Sequence, residues 1–467
     1  MRRGLKEWWQ KGIFVLIACF GWVWAQGPTP DPRTLGLAGA TTSLTEGIHA
    51  VGYNPARLAF SAKDFSMNLG GLTYSLQNNL LSIVNYNLIN GADFENTLHS
   101  DYVNKQEFLD DLPDDGLRIK TGLYLPTPGL NWARGIMAFS SEIAVFGDLG
   151  LPKALFELLM KGNIVGDSLD LTLDEELQGT AEWGFSFAVP TGGMAFGFTF
   201  KYLQGLFHID VDQDSSGGYF LTDTTGFTGE GRYLIRQAVG GSGFGLDIGF
   251  ATAEVNGYRL GISLINALGS IRWHGPSLTK DLFGGALQSL MPWRENEYFL
   301  YTYRVNQVTA EELLQDTPLD SLFHNESYPV VETESGLVQS DTLTDEDLDD
   351  IILKPFVTNY PALFRMGVSK RIENFGIVSL DLVTGFQDRL WASRGWQLAV
   401  GVEILSEPSF PIRMGVRYAG PDNQQLGLGF GIHKGILQFD AALAFHNGLW
   451  FHTTKGISLA IGLTLVR

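Results

Sequence analysis

Cysteine is all but missing from this 467-residue chain: Cys19 stands alone. Once the leader containing it is removed, disulfides and cysteine metal sites are excluded. Histidine is sparse, and none of the eight (His49, His99, His208, His274, His324, His433, His446 and His452) falls in a His-Glu-x-x-His or similar spacing. Asp210-Val-Asp212-Gln-Asp214-Ser-Ser-Gly217 imitates the opening of a calcium loop, but its glycine comes two positions late and Leu221 stands where a bidentate glutamate is needed. It reads as a hairpin loop rich in turn formers. A Gly-x-Ser-x-Gly elbow is lacking too, so neither an enzyme nor a cofactor is expected. Basic charge is short, 32 Lys and Arg against 51 Asp and Glu for a net charge of -19, which argues against nucleic acid as a partner. Long hydrophobic runs are also absent after residue 24. The longest uncharged stretch, Trp183 to Phe200, is broken by Pro190 and glycines, so no transmembrane helix is expected there.

The leader is distinct from the rest of the chain. Arg2, Arg3, Lys6 and Lys11 precede an apolar run from Gly12 to Trp24, and Val23-Trp24-Ala25 offers cleavage after Ala25, so residues 1–25 read as an export signal. A second reading uses Leu16-Ile17-Ala18-Cys19 as a lipoprotein box, against which the apolar stretch continues past Cys19 instead of giving way to a polar tether. Removing four basic residues with one acid, Glu7, leaves the mature chain near -22.

What the chain has in abundance is period-two alternation. In Trp183-Gly-Phe185-Ser-Phe187-Ala-Val189 and, after a Pro190-Thr-Gly-Gly193 break, Met194-Ala-Phe196-Gly-Phe198-Thr-Phe200-Lys-Tyr202, every second residue is large and apolar. Strand side chains alternate between faces, so aromatics gather on one side and Gly, Ala, Ser, Thr and Lys on the other. The parity returns in Trp396 to Ile404, Phe410 to Tyr418, Leu426 to Ile432, Leu437 to Phe445 and Ile457 to Leu465, while Gln397, Glu403, Arg413, Arg417, His433, Gln438 and Asp440 occupy the intervening positions. One lipid-compatible face and one ionisable face describe a membrane β-barrel with a polar lumen. A mean hydropathy of +0.04 fits such a barrel, whose apolar band is diluted by lumen residues. A soluble sandwich is the alternative.

Strands are expected from about Phe65 to the end, roughly fourteen in number. They include segments at 65–76, 116–126, 132–147, 231–238 and 297–309. Gln26 to Lys63 lacks the alternation and is rich in Gly, Pro and small polar residues. Short helices are expected at Lys105 to Leu112 and Leu151 to Met160, the latter with Pro152 early in the helix and Leu155, Phe156, Leu158 and Leu159 as its apolar face. An acidic insertion, 310–355, ends in Asp341 to Asp350, where Thr344 and Asp347 approximate a capping box.

Leu35-Gly-Leu-Ala-Gly-Ala40, Gly47 to Val51 and Tyr53-Asn-Pro-Ala-Arg-Leu-Ala59 together resemble the entry segment of FadL-like outer-membrane proteins, a superfamily that includes fatty-acid and hydrocarbon transporters and PorV-like secretion proteins. Leu151 to Gly162 and Tyr360 to Gly367 are similar to an uncharacterised branch of these barrels. The resemblance implies a bacterial outer-membrane location and a fourteen-stranded barrel, 65–467, plugged by an N-terminal hatch, 26–64. Gly36, Gly39, Asn54, Pro55 and Ala56 are then hatch residues. The ending Leu463-Thr-Leu-Val-Arg467 departs from the terminal aromatic common in such barrels.

Two functions are expected. One is passive uptake of hydrophobic small molecules, fatty-acid or hydrocarbon-like, captured near Leu155, Phe156 and Leu159, passed by a shifting hatch and released through a gap in the wall. The other is a non-transporting scaffold, with a secreted or surface protein as partner in addition to membrane lipid. N-terminal analysis of the mature protein is expected to begin at Gln26, and a lipid on Cys19 would select the lipoprotein reading.

Overall fold

The computed structural model describes residues 31–467 except 163, 275–295, 310–322, 345–346, 348–350, 421–422 and 449. The leader, with Cys19 and the Ala25 cleavage position, lies outside the described residues, as does part of the acidic insertion.

The expected all-β barrel forms. Fourteen strands close on themselves through antiparallel pairing of each with its neighbours and of the last with the first. In chain order they are β1 (Phe65–Asn78), β2 (Leu117–Pro126), β3 (Met137–Leu151), β4 (Asp174–Thr191), β5 (Met194–Val211), β6 (Phe227–Thr252) and β7 (Tyr258–Trp273). The second half comprises β8 (Leu363–Ile372), β9 (Gly376–Gly385), β10 (Gln397–Ile404), β11 (Ile412–Tyr418), β12 (Gln424–Lys434), β13 (Leu437–His446) and β14 (Gly456–Val466).

The alternation sets the faces. Leu398, Val400, Ile412, Met414, Val416, Phe430 and Ile432 are exposed on the outer surface, whereas Gln397, Glu403 and Arg413 between them are buried. Outward rings interlock across strands, as in Phe187 with Phe198 at 5.5 Å, Phe196 with Phe250 at 5.4 Å and Tyr202 with Phe244 at 5.8 Å between centroids. Closure pairs the last strand with the first and so leaves no terminal sheet edge in the lipid zone, where an unsatisfied amide is costly. Connections at one end are short, such as 192–193 and 435–436, while those at the other run to 79–116 and 274–362. The two are the short-turn end and the long-loop end of the barrel.

Two sequence expectations need correction. The segment 132–147 is not one strand: Gly135 takes φ +54 and turns the chain back, separating a short strand, Asn131–Arg134, from β3. Pro152 sits just outside its helix, Lys153–Lys161, as an extended N-cap residue. The segment 231–238 belongs to the 26-residue β6, whose part toward the short turns pairs with β7 and whose other part projects beyond β7 to pair with strand Glu297–Val308. Further short strands at 323–333 and 336–339 extend this sheet. The Thr344 amide donates to Asp347 at 2.9 Å and the Asp347 amide to Thr344 Oγ1 at 3.2 Å, completing the capping box. The Thr344 hydroxyl also donates to Asp347 at 2.6 Å, and this bond, with the Thr344 amide second, holds the solvent-facing Asp347 carboxyl below its usual pKa.

Residues 31–64 fill the lumen as helix Pro32–Gly36 and two 3-10 turns, Gly47–Ala50 and Pro55–Phe60. Their backbone runs against a belt of inward glycines. A Cβ added at Gly197 would lie 2.1 Å from the Ala56 amide nitrogen, at Gly261 2.4 Å from the Thr42 oxygen, at Gly415 2.2 Å from the Leu37 carbonyl carbon and at Gly427 2.2 Å from the Leu35 oxygen. The belt follows the sheet register, with Gly261 opposite Gly367, Gly401 opposite Gly415 and Gly415 opposite Gly427. Substituting Gly415→Leu is expected to dislodge this segment at a cost of several kcal/mol, roughly the upper end for overpacking. Protease cleavage within 31–64, resisted by the wild type, would report it.

Candidate functional site

The candidate site is the barrel interior around residues 31–64, the hatch segment. Asn54 is fully buried and caps the turn Pro55–Phe60 by accepting from the Ala56 amide at 3.2 Å. Its Nδ2 donates to Phe250 O at 2.9 Å and to Thr42 O at 3.2 Å, tying hatch to wall. Pro55 and Ala56 press on Gly197 and Gly249. Gly39 needs its lack of a side chain for φ +92, whereas Gly36 does not turn the chain but lets the helix approach Gly429, whose Cα would lie 3.1 Å from an added Cβ. Asp381, fully buried on β9, accepts from the Thr41 and Thr42 amides at 3.0 and 2.8 Å. Arg365 donates to Gly39 O at 2.8 Å and to Thr42 Oγ1 at 3.1 Å.

An ionic relay anchors the start of the hatch at the short-turn end. Arg33 makes a forked pair with Glu403 at 3.0 and 2.6 Å, and Arg413 donates to Glu403 at 2.7 Å and to Asp440 at 2.5 Å. His433 Nε2 lies 3.1 Å from Asp440. Such forks fix geometry as well as charge.

On the side of β1 the contact is looser. A cavity of about 280 Å³ separates hatch from wall, reaching from Arg33, Glu403 and Arg413 to Leu72, Tyr124 and Pro126. The wall itself is interrupted there. β1 pairs with β2 only from Thr73 to Asn78, and with the short strand Asn131–Arg134 from Phe65 to Asn68. Among the described residues Leu69 to Leu72 have no ladder partner on that side.

The half toward the long loops is closed by a different device. Loop 386–396, between β9 and β10, folds into the lumen with Leu390 at φ +50. Arg389 pairs with Glu176, and Trp391 packs 4.2 Å from Phe146 and 4.8 Å from Tyr360 between centroids. Nearby, Lys201 holds Asp247 at 3.1 Å and Glu182 at 3.9 Å and donates to Asn266 at 2.9 Å. The hydroxyls of Tyr124 and Tyr360 donate to Glu142 and Glu182. A second cavity, about 100 Å³, lies between the Trp391 loop and the hatch.

The loop helix Lys153–Lys161 places its apolar residues in different surroundings. Leu155 and Leu158 pack with Leu171, Phe220 and Val305, Phe156 packs with Leu80, Leu112 and Leu117, and Leu159 is 47% exposed. None of Leu155, Phe156 and Leu159 lines either lumenal cavity. Asp212, read from sequence as part of a hairpin loop, pairs with Arg236, and β5 extends through Asp210 and Val211, so the loop begins later than expected. Among the described residues no group of three or more His, Cys, Asp or Glu is arranged to hold a metal ion.

A family model described as a family of unknown function (DUF5723) matches residues 55–286. No curated protein matches significantly. Among solved structures, the chain is similar to the Ralstonia pickettii toluene transporter TbuX at 12% identity, covering 94% of this chain and 98% of that one with a TM-score of 0.47. A Pseudomonas aeruginosa FadL homologue is 12% identical over 95% and 99% of the two chains with a TM-score of 0.48, and the P. putida toluene transporter TodX 11% identical over 95% and 99% with 0.49. Similarity at this level assigns neither substrate nor mechanism.

Trp391, Asp381 and the ion relay carry no short-range sequence signature. Their partners lie tens to hundreds of residues away, and only the inward parity of Glu403, Arg413 and Asp440 marks them in the sequence. Replacing Glu403→Gln is expected to leave Arg33 and Arg413 facing one another and to destabilise the barrel by about 3 kcal/mol, as breaking a buried pair does. Chemical unfolding in detergent checks the loss, which the double variant with Arg33→Met would partly restore.

Proposed function

We propose that this barrel sits in the outer membrane of a double-membraned bacterium and passes hydrophobic small molecules, fatty-acid-like or hydrocarbon-like, inward without an energy source. The observation that carries the reading is the interrupted ladder at Leu69 to Leu72 beside the 280 Å³ cavity. A lumen occupied by hatch and Trp391 loop does not serve as a water-filled pore, so a solute that uses it must shed water, which favours apolar cargo. Apolar loop residues around the helix Lys153–Lys161, Leu155, Phe156 and Leu159 among them, would meet such a solute first. The hatch interlocks with the glycine belt on β5 to β12, so the route runs beside it on the β1 side and leaves through the wall gap to the membrane. This replaces a shifting hatch with a stationary one.

The scaffold reading keeps one observation in its favour: the sheet around 297–339 projects outward and exposes His324, Asn325, Glu326 and Ser327 at its far strand. Uptake separates the two. In cells lacking their own hydrophobic-uptake barrel, expression of this chain is expected to accelerate entry of labelled oleate or toluene. Gly71→Val, whose Cβ would press on Ile461 O at 3.1 Å and Pro126 Cγ at 3.2 Å, should slow entry severalfold by crowding the gap. No acceleration by the wild type, with a stoichiometric surface protein co-purifying, would favour the scaffold.

A further inference from the structure

The small cavity between the Trp391 loop and the hatch has a composition unlike the rest of the lumen. Lys120, Arg365 and Arg417 line it, and among the described residues no Asp or Glu does, in a chain that carries 51 acids to 32 basic residues. Elsewhere the inward arginines are neutralised: Arg118 by Asp148, Arg236 by Asp212, Arg259 by Glu254, Arg389 by Glu176 and Arg413 by Glu403. Within the cavity lining, Lys120 lies 3.5 Å from Asp148 and Arg365 lies 3.8 Å from Asp381 while donating to the hatch. Arg417 has no carboxylate within 4 Å among the described residues, and its Nε is buried without an acceptor. A second buried donor in the same lining, Trp391 Nε1, is likewise unpartnered. Gln425, directly opposite Arg417 in the β11–β12 register, leaves its amide unpaired as well.

Buried donors and an uncompensated guanidinium are costly to keep. They are retained at little cost when the missing acceptor is a ligand. We propose that this chamber binds a compact organic monoanion, a carboxylate on a small apolar or aromatic body, with Arg417 as its anchor. The planar guanidinium suits a carboxylate fork, Trp391 Nε1 supplies a further donor, and Phe146, Leu363 and Val383 in the lining offer the body an apolar seat. A volume of about 100 Å³ admits a ligand of benzoate size and no long chain. The site goes beyond the uptake reading and does not depend on it, because binding is read without transport.

The test titrates benzoate into the full-length barrel in detergent by calorimetry, with benzamide as the neutral isostere. One saturable benzoate site is expected, with benzamide about tenfold or more weaker and Arg417→Gln weakening benzoate by a similar factor. Arg417→Lys should retain part of the affinity, and Trp391→Phe, which keeps the ring packing, should lose affinity severalfold. Each variant is first checked for the folded electrophoretic form, and if Arg417→Gln does not fold, Arg417→Lys and Trp391→Phe carry the comparison. Absence of saturable benzoate binding to the wild type would overturn the proposal. So would equal binding of benzamide, or benzoate affinity unchanged across the folded variants. None of these results bears on uptake of neutral hydrophobic molecules.

Discussion

Everything in this molecule depends on how closely one stretch of backbone approaches another. The hatch lies against the wall with no room for a β-carbon at Gly197, Gly261, Gly415 or Gly427, so its backbone is packed to contact there. Close approach brings hatch amides within reach of wall acceptors, so Asp381 can take two of them at once and Asn54 can bond across to β6. Each backbone polar group of an irregular segment inside a barrel needs such a partner. The glycine belt and the hydrogen bonds are therefore one device.

Charge is organised around that device. The acid excess is accommodated by pairing most lumenal carboxylates: Glu403 with two arginines, Asp148 with Arg118 and Lys120, Asp247 with Lys201. The pairs mark the hatch attachments and the strand-to-strand contacts that a polar lumen requires. The β1 side stands apart, with an interrupted ladder and a cavity in place of interlocking contact. A barrel tight around most of its circumference and loose at one seam offers that seam as the route the uptake proposal requires.

Much of the barrel is legible in the amino-acid sequence. Phe196, Phe198 and Phe200 with Gly197 between the first two state both faces of β5, and the same parity in Leu398 to Ile404 and Ile412 to Tyr418 places Glu403 and Arg413 inside. Period-two patterns are strong because a one-residue slip would turn every apolar side chain inward. The turn at Gly135 shifts the inward parity from Ala133 to Ala138 within a few residues, a phase change that the sequence shows only as the adjacent apolar pair Ile136 and Met137. The site is less legible. Trp391, Arg417 and the unpaired stretch Leu69 to Leu72 acquire meaning only from closure of the barrel, which sets residues from distant strands around one chamber. Parity says that Arg417 points inward; it does not say that the chamber it enters holds no acid among the described residues.

The central claim is that solute passes beside a stationary hatch. A Leu37→Cys, Gly401→Cys pair joins hatch to wall where Leu37 Cβ lies 3.1 Å from the Cβ position of Gly401, close to the separation a disulfide needs after slight adjustment. Uptake of labelled oleate or toluene through this variant, oxidised and then reduced, is the direct measurement. Equal rates in both states are the predicted result. Uptake that is lost on oxidation and restored by reductant would contradict it and return movement to the hatch.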